Sequence, residues 1–274
     1  MDRKKTTDTL GGVSDPFQPC EKHFKVTKRA LEIFAETQYP VVISSKGRLL
    51  GDTEYLDLIA KCNAVVQISM MCSSFDKIEP GCPTFEERLK ILSSVSKVAK
   101  RTIVRCQPYL PELKNEVLVN IRRFKEAGAY GVIFEAMKFI KMKPGLEKLA
   151  GDCVFPVERL RADFLQLRDE CHKNDLKFFS GENRLRTMGD SLCCCGFEGL
   201  HGFEPNTYNA NHILLDKSGK SVKSTSSMNI ENTGYAIMHH LHQDAKTKLF
   251  RGISYKEMVN FEIKNNPTLK KVLG

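Results

Sequence analysis

Residues Ala64–Arg88 read AVVQISMMCSSFDKIEPGCPTFEER. The run Ala64-Val65-Val66-Gln67-Ile68-Ser69 is short, apolar and β-branched, which predicts a buried strand. The chain leaves it through Met70-Met71-Cys72-Ser73-Ser74 and then the punctuated stretch Glu79-Pro80-Gly81-Cys82-Pro83. Thr84, with Glu87 three residues on, spells a capping box, so a helix starts there. Strand, loop and capped helix make one β/α unit. Folds built from such units keep their chemistry on the loops that follow the strands.

Working outward, the same unit recurs. Val41-Val42-Ile43 predicts a strand that delivers Ser44-Ser45-Lys46. Before it, the spacing predicts a helix over 25–37 with Val26, Ala30, Ile33 and Phe34 on its inner face. Thr9 to Pro19 reads as a short strand entering a polar turn, because Asp15-Pro16 and Gln18-Pro19 keep the backbone out of the α region. A helix follows Asp52, and another covers 84–99. Residues 102–106 form a strand running into Gln107-Pro108-Tyr109-Leu110-Pro111. A helix over 112–127 stops at Gly128. Residues 130–134 form a strand that delivers Glu135. A connector over 141–156 leads to an amphipathic helix over 157–174, with Leu160, Phe164 and Leu167 inward. Residues 176–180 form a last strand before Gly181-Glu182-Asn183-Arg184. Past Asn206 the composition shifts, and a hairpin around 212–224 and two short helices are expected. Strands recurring about every 30 residues predict an α/β fold of parallel strands with right-handed crossovers. The polar residues at the strand ends then gather on one face, where ligands bind.

The chain has 274 residues, 41% hydrophobic and 27% charged, as an ordinary globule does. No apolar run reaches the ~18 residues of a membrane span. The N-terminus, Met1-Asp2-Arg3-Lys4-Lys5, has no apolar core and spells no secretory signal. The expected compartment is the cytoplasm, with no membrane partner. The formal charge of +9 fits nucleic acid or another anionic partner as well as it fits a solvated basic surface. Ten cysteines are many for such a chain, and a reducing compartment argues against a disulfide framework.

Four segments in order carry a resemblance: SDPFQPCEKHFKVTKRALE, PVVISSKGRLLGD, VVQISMMCSSFDKIEPGCPTFEERL and VRCQPYLPEL. Together they resemble radical S-adenosylmethionine proteins, in the branch similar to spore photoproduct lyase. The resemblance spans Val13 to about Leu113 and continues weakly to Asn206. It implies a partial (β/α)6 TIM-like barrel over residues 1–190 and a small α+β extension over 191–274. It also implies S-adenosylmethionine as cofactor and a [4Fe–4S] cluster. Asp15 and Gln18 then approach the methionyl amino group, and Ser45 with Lys46 meets the carboxylate. Ser69, Glu79 and Arg88 frame the cofactor. Arg105, Glu135, Glu182 and Arg184 are the candidate substrate residues.

The family's cluster motif, C-x3-C-x2-C, occurs nowhere in this sequence. The first β/α unit of the family pattern is therefore expected to be missing. Three explanations stand: the motif lies on a separate polypeptide, the chain starts at an internal Met, or the barrel is degenerate. The corresponding functions are the major part of a radical enzyme, and a cluster-less barrel that binds nucleotide, nucleic acid or a metal. Cys193-Cys194-Cys195 with His201 is the candidate metal group, against a tight turn of reduced thiols. His239 and His242 share a helix face and read as a surface pair.

Overall fold

The computed structural model describes residues 7–12, 14–149, 152–191, 193 and 195–203. Among them, residues up to Lys138 and those from Phe155 on form one compact unit, and Phe139–Val154 belongs to another.

The first unit is built on six parallel strands in the order β1 (Asp8–Leu10), β2 (Val41–Ser45), β3 (Ala64–Ser69), β4 (Arg101–Tyr109), β5 (Gly131–Ala136) and β8 (Lys177–Ser180). The strands follow chain order, and β1 and β8 are the two edges of the sheet among the described residues. Both faces of β2 and β3 are buried, which is why these strands read as unbroken apolar runs. The helices α1 (Glu21–Phe24), α2 (Val26–Thr37), α3 (Thr53–Ile59), α4 (Phe85–Val95), α5 (Lys114–Glu126) and α6 (Val157–Lys173) make the connections. The expected capping box is present: the Thr84 side chain accepts from the Glu87 amide, and the Glu87 carboxylate accepts from the Thr84 amide. Leu160, Phe164 and Leu167 of α6 are buried as expected, and the Tyr109 hydroxyl donates to Asp163 of that helix at 3.0 Å.

The inner face of α2 differs from the expectation. Thr27 and Leu31 are buried, whereas Val26 and Ile33 are each 59% exposed. A polar lock sets the rotation. The Thr27 hydroxyl donates to the Pro16 carbonyl at 2.5 Å, and the Thr27 amide donates to the Glu21 carboxylate at 3.0 Å.

The connector is also more ordered than the sequence suggested. Within the second unit, β6 (Glu147–Leu149) and β7 (Asp152–Val154) pair antiparallel, and Phe139 bridges to Cys153. Strands of three residues carry too little periodicity to be read from sequence. The hairpin and helices expected past Asn206, with His239 and His242, lie outside the described residues.

One face of the sheet has two layers. Val42, Val65, Ile103, Ile133 and Phe179 form an apolar layer with Phe197 and Phe203, which pack against it from the segment after β8. Side chains two residues further along each strand share that face. They are Ser44, Gln67, Arg105, Glu135 and Gly181. The apolar layer is thus a floor near the starts of the strands, and the polar layer lies toward their C-terminal ends. Arg101 ties the floor segment down: its Nη1 donates to the carbonyls of Gly196 at 2.7 Å and Glu198 at 3.0 Å, and its guanidinium lies 3.7 Å from the Tyr130 ring centroid.

Candidate ligand site at the strand ends

The segment Asp15–Glu21 is a lock at the end of β1. The Asp15 carboxylate accepts from the Phe17 amide at 2.8 Å, the Ser45 hydroxyl at 2.7 Å and the Lys46 amide at 2.8 Å. The Ser45 oxygen in turn accepts from the Gly47 amide at 2.8 Å. Phe17 packs edge-on against Tyr55 with centroids 5.2 Å apart. Glu21, nearly fully buried, caps α2 from outside: it accepts from the amides of Thr27 and Lys28 and from the Tyr55 hydroxyl at 2.9 Å. Burial opposes ionisation of Glu21, but these donors outweigh it and hold its carboxyl below the ordinary glutamate range.

Gly47 is required here by close approach. A Cβ on it would lie 2.4 Å from the Phe17 carbonyl oxygen, a backbone atom that cannot swing away. Gly47→Ala is expected to cost about 1–3 kcal/mol through overpacking, read as a lower midpoint in urea with the slope unchanged.

The stretch 70–88 is pinned at every turn. The Met70 amide donates to the Arg105 carbonyl at 3.1 Å, and Met70, Met71 and Cys72 are buried. Glu116 of α5 accepts from the Ser73 hydroxyl and the Ser74 amide; the Ser74 side chain above all, with these two donors, outweighs its slight burial and brings its carboxyl down to about 2. Both Asp76 oxygens accept from the Phe85 amide at the start of α4. Burial pushes the Cys72 thiol up to about 12, with the Glu116 charge adding to the effect, so it is no nucleophile.

Arg88 is the hub, only 3% exposed. Its Nε donates to the Pro83 carbonyl at 2.7 Å, its Nη1 to the Ser69 carbonyl at 2.9 Å and its Nη2 to Glu79 at 2.7 Å. The second oxygen of Glu79 pairs with Lys46. Burial opposes ionisation of Glu79, but the Lys46 and Arg88 hydrogen bonds and charges outweigh it and hold the carboxyl below its ordinary range. Six of the seven expected cofactor residues therefore fall in two hydrogen-bonded groups: Asp15 with Ser45 and the Lys46 amide, and Ser69, Arg88 and Glu79 with the Lys46 ammonium. Gln18 is exposed, and its side chain makes no hydrogen bond among the described residues. Asp15 and Glu79 are already committed to protein donors, whereas the Lys46 side chain is a third exposed and keeps donors to spare.

The polar layer forms a second group. Gln67 accepts from the Ser44 hydroxyl at 2.7 Å and from Arg105 Nη1 at 3.2 Å, and donates to the Cys195 carbonyl at 3.0 Å. Arg105 Nε donates to Gln107. Glu182 is buried and pairs with Arg184 at 2.8 Å, and Arg184 also donates to the Phe155 carbonyl at 3.0 Å. Gln67, Gln107 and Lys138 were not singled out by the sequence. The available signal was Gln67, a lone amide at the centre of an apolar strand and in phase with Val65 and Ser69.

The metal expectation fares differently. No three His, Cys, Asp or Glu side chains among the described residues converge as metal ligands, so Cys193, Cys195 and His201 form no such group. Cys193 and Cys195 pack beside the apolar floor, and Cys194 lies outside the described residues. No described helix is long and apolar enough to cross a membrane.

Sequential parallel strands with polar residues at their C-terminal ends define a partial, open TIM-like β/α barrel among the described residues. Solved structures of spore photoproduct lyase share this fold. A variant of that enzyme with bound AdoMet and dinucleoside spore photoproduct aligns with 66% of this chain and 62% of its own, at 13% identity and a TM-score of 0.55. The enzyme complexed with dinucleoside spore photoproduct aligns over the same shares at 14% identity and a TM-score of 0.54. SuiB of Streptococcus suis bound to S-adenosylmethionine aligns with 64% of this chain and 37% of its own, at 15% identity and a TM-score of 0.45. The fold assignment rests on the lyase matches. The chain spans about 62% of the length of those lyase chains. No protein-family model and no curated protein matches the sequence.

Proposed function

We propose that this barrel binds S-adenosylmethionine at the ends of β1, β2 and β3 and forms the major part of a radical S-adenosylmethionine enzyme. The observation that carries this reading is the pair of hydrogen-bonded groups that meet at Lys46, built by the residues the family pattern places around the cofactor. Lys46 receives the methionyl carboxylate with the donors Glu79 leaves free. Gln18, whose side chain is unengaged among the described residues, is the acceptor for the amino group. Asp15, Ser45, Ser69, Glu79 and Arg88 act as positioning residues that hold the two chain segments in place. S-adenosylmethionine, when bound, supplies the adenosyl group that such chemistry uses.

A [4Fe–4S] cluster does not fit the residues present. The sequence has no C-x3-C-x2-C, and no triad of ligand side chains converges among the described residues. No step through a cluster is therefore derived. The cluster motif is assigned to a separate polypeptide that works with this one in the cytoplasm. Arg105, Glu135, Glu182 and Arg184 face an anionic, nucleic-acid-like substrate, in keeping with the net charge of +9. That the sequence spells no C-x3-C-x2-C favours a second reading, a cluster-less barrel that binds the nucleotide alone.

Titration calorimetry with S-adenosylmethionine tests the cofactor site. Saturable binding is expected, weakened about tenfold by Lys46→Ala through loss of one charge-assisted contact. No heat at millimolar ligand would sink the proposal. Iron and sulfide retained under anaerobic conditions only with a co-expressed partner would support the enzyme reading over the cluster-less one.

A further inference from the structure

The outer side of α2 is charged against its own dipole. The helix has no acidic residue in its first turn and no basic residue in its last. Lys28 and Arg29 stand toward its positive N-terminal end, and Glu32 and Glu36 toward its negative C-terminal end. Glu32 and Glu36 are also one turn apart, where like charges repel. A helix that only faces water is stabilised by the opposite order of charge. Lys28 is drawn off to Glu54 together with Lys25. Arg29 and Glu36 are exposed, and neither side chain makes a hydrogen bond or ion pair among the described residues.

An apolar stripe runs between these charges. Arg29 and Ile33 stand two residues beyond the buried Thr27 and Leu31, about 200° round the helix and so on its far side. Val26 and Ile33 are each 59% exposed, and Phe24 at the end of α1 is 66% exposed. Scattered apolar side chains on a surface need no explanation. Val26 and Ile33, however, are one heptad apart with the half-buried Ala30 between them, which is the spacing of a helix-pair seam.

The stripe is complementary to itself. Arg29 lies one turn before Ile33, and Glu36 lies one turn after it. Two copies of α2 crossing antiparallel, with Ile33 on the two-fold axis, bring Arg29 of each copy beside Glu36 of the other, twice over. Each basic half then faces an acidic half. Ala30 packs beside the paired Ile33 side chains, and Val26 extends the seam toward the C-terminal turn of the second copy. We propose that this stripe is a two-fold docking surface whose occupant is a second copy of this chain. The contact is isologous, as in most dimers. A helix of 12 residues is only about 18 Å long, so the contact falls below the area of a permanent interface, and pairing is reversible. It is independent of the cofactor site, to which no residue of the stripe belongs.

Sedimentation equilibrium of the full chain from about 1 to about 200 µM tests the pairing. A monomer at the low end and a dimer at the high end are expected, with a midpoint on the order of tens of micromolar. Arg29→Glu and Glu36→Arg each set like charges together at both ends of the contact, and each is expected to raise the dissociation constant about tenfold. The double variant Arg29→Glu/Glu36→Arg restores the pairs in reverse and is expected to return to within about threefold of the parent. Ile33→Ser is expected to abolish pairing and leave the melting temperature of the monomer unchanged, because the side chain is mostly exposed. A chain that stays monomeric over the whole range overturns the proposal. A dimer that persists in Ile33→Ser puts the interface elsewhere and overturns it too, as does a double variant that pairs no better than the single ones. A monomer whose melting temperature falls in Ile33→Ser has another segment of the same chain over the stripe, and this equally overturns it.

Discussion

Arg88→Met is expected to lower folding stability by about 3–5 kcal/mol, the cost of removing one partner from a buried ion pair. Methionine fills much of the volume but returns none of the three donors. The Pro83 and Ser69 carbonyls lose their partner, and Glu79 keeps only Lys46. Chemical denaturation at pH 7 measures the loss. A change below about 1 kcal/mol would show that the hub is dispensable. The same network sets an acid limit. Glu79 has a folded-state pKa below its unfolded value, so its contribution is full above about pH 4.5 and fades as pH falls toward the lowered value. In Glu79→Gln this slope is expected to flatten.

Asp15→Asn is expected to cost about 2–4 kcal/mol, as one of three hydrogen bonds is turned donor against donor and the other two lose their charged acceptor. The amide keeps one acceptor oxygen for Phe17 and Ser45 but turns an N–H₂ toward the Lys46 amide, donor against donor. The Lys46 side chain then loses its fixed base. Affinity for S-adenosylmethionine is expected to fall with stability, since in the proposed site Asp15 positions Lys46 rather than contacting the ligand. Lys46→Ala lowers affinity about tenfold with a smaller loss of stability, so the pair of variants separates positioning from contact. Equal loss of stability in the two variants would remove the distinction.

Part of this architecture is legible in the amino-acid sequence. The Thr84–Glu87 cap is readable because both partners lie within four residues, where sequence encodes geometry directly. The parallel units are readable because β2 and β3 are buried on both faces. The motif Asp15–Glu21 is visible as a pattern, but its physical content is not. Glu21 reaches forward to α2, and Asp15 reaches Ser45 and Lys46 some 30 positions on. Local spacing carries no trace of such partners. The rotation of α2 escapes the sequence for the same reason: Thr27 is turned inward by hydrogen bonds to Pro16 and Glu21, against the apolar pattern of Val26 and Ile33. Gln67 disappears into an apolar run, because its three partners come from β2, β4 and the segment after β8.

The Gln67 amide meets the Cys195 carbonyl across 128 positions, and Phe197 and Phe203 cover valines and isoleucines made far earlier. During synthesis, the strands can align while this end of the barrel is still wet. Only when residue 203 has left the ribosome does the floor become dry. Until then a nascent chain carries an uncovered apolar layer and depends on holding factors or speed to avoid association. A premature stop shortly after β8 would leave all six strands of the described sheet in place and still release a sticky product.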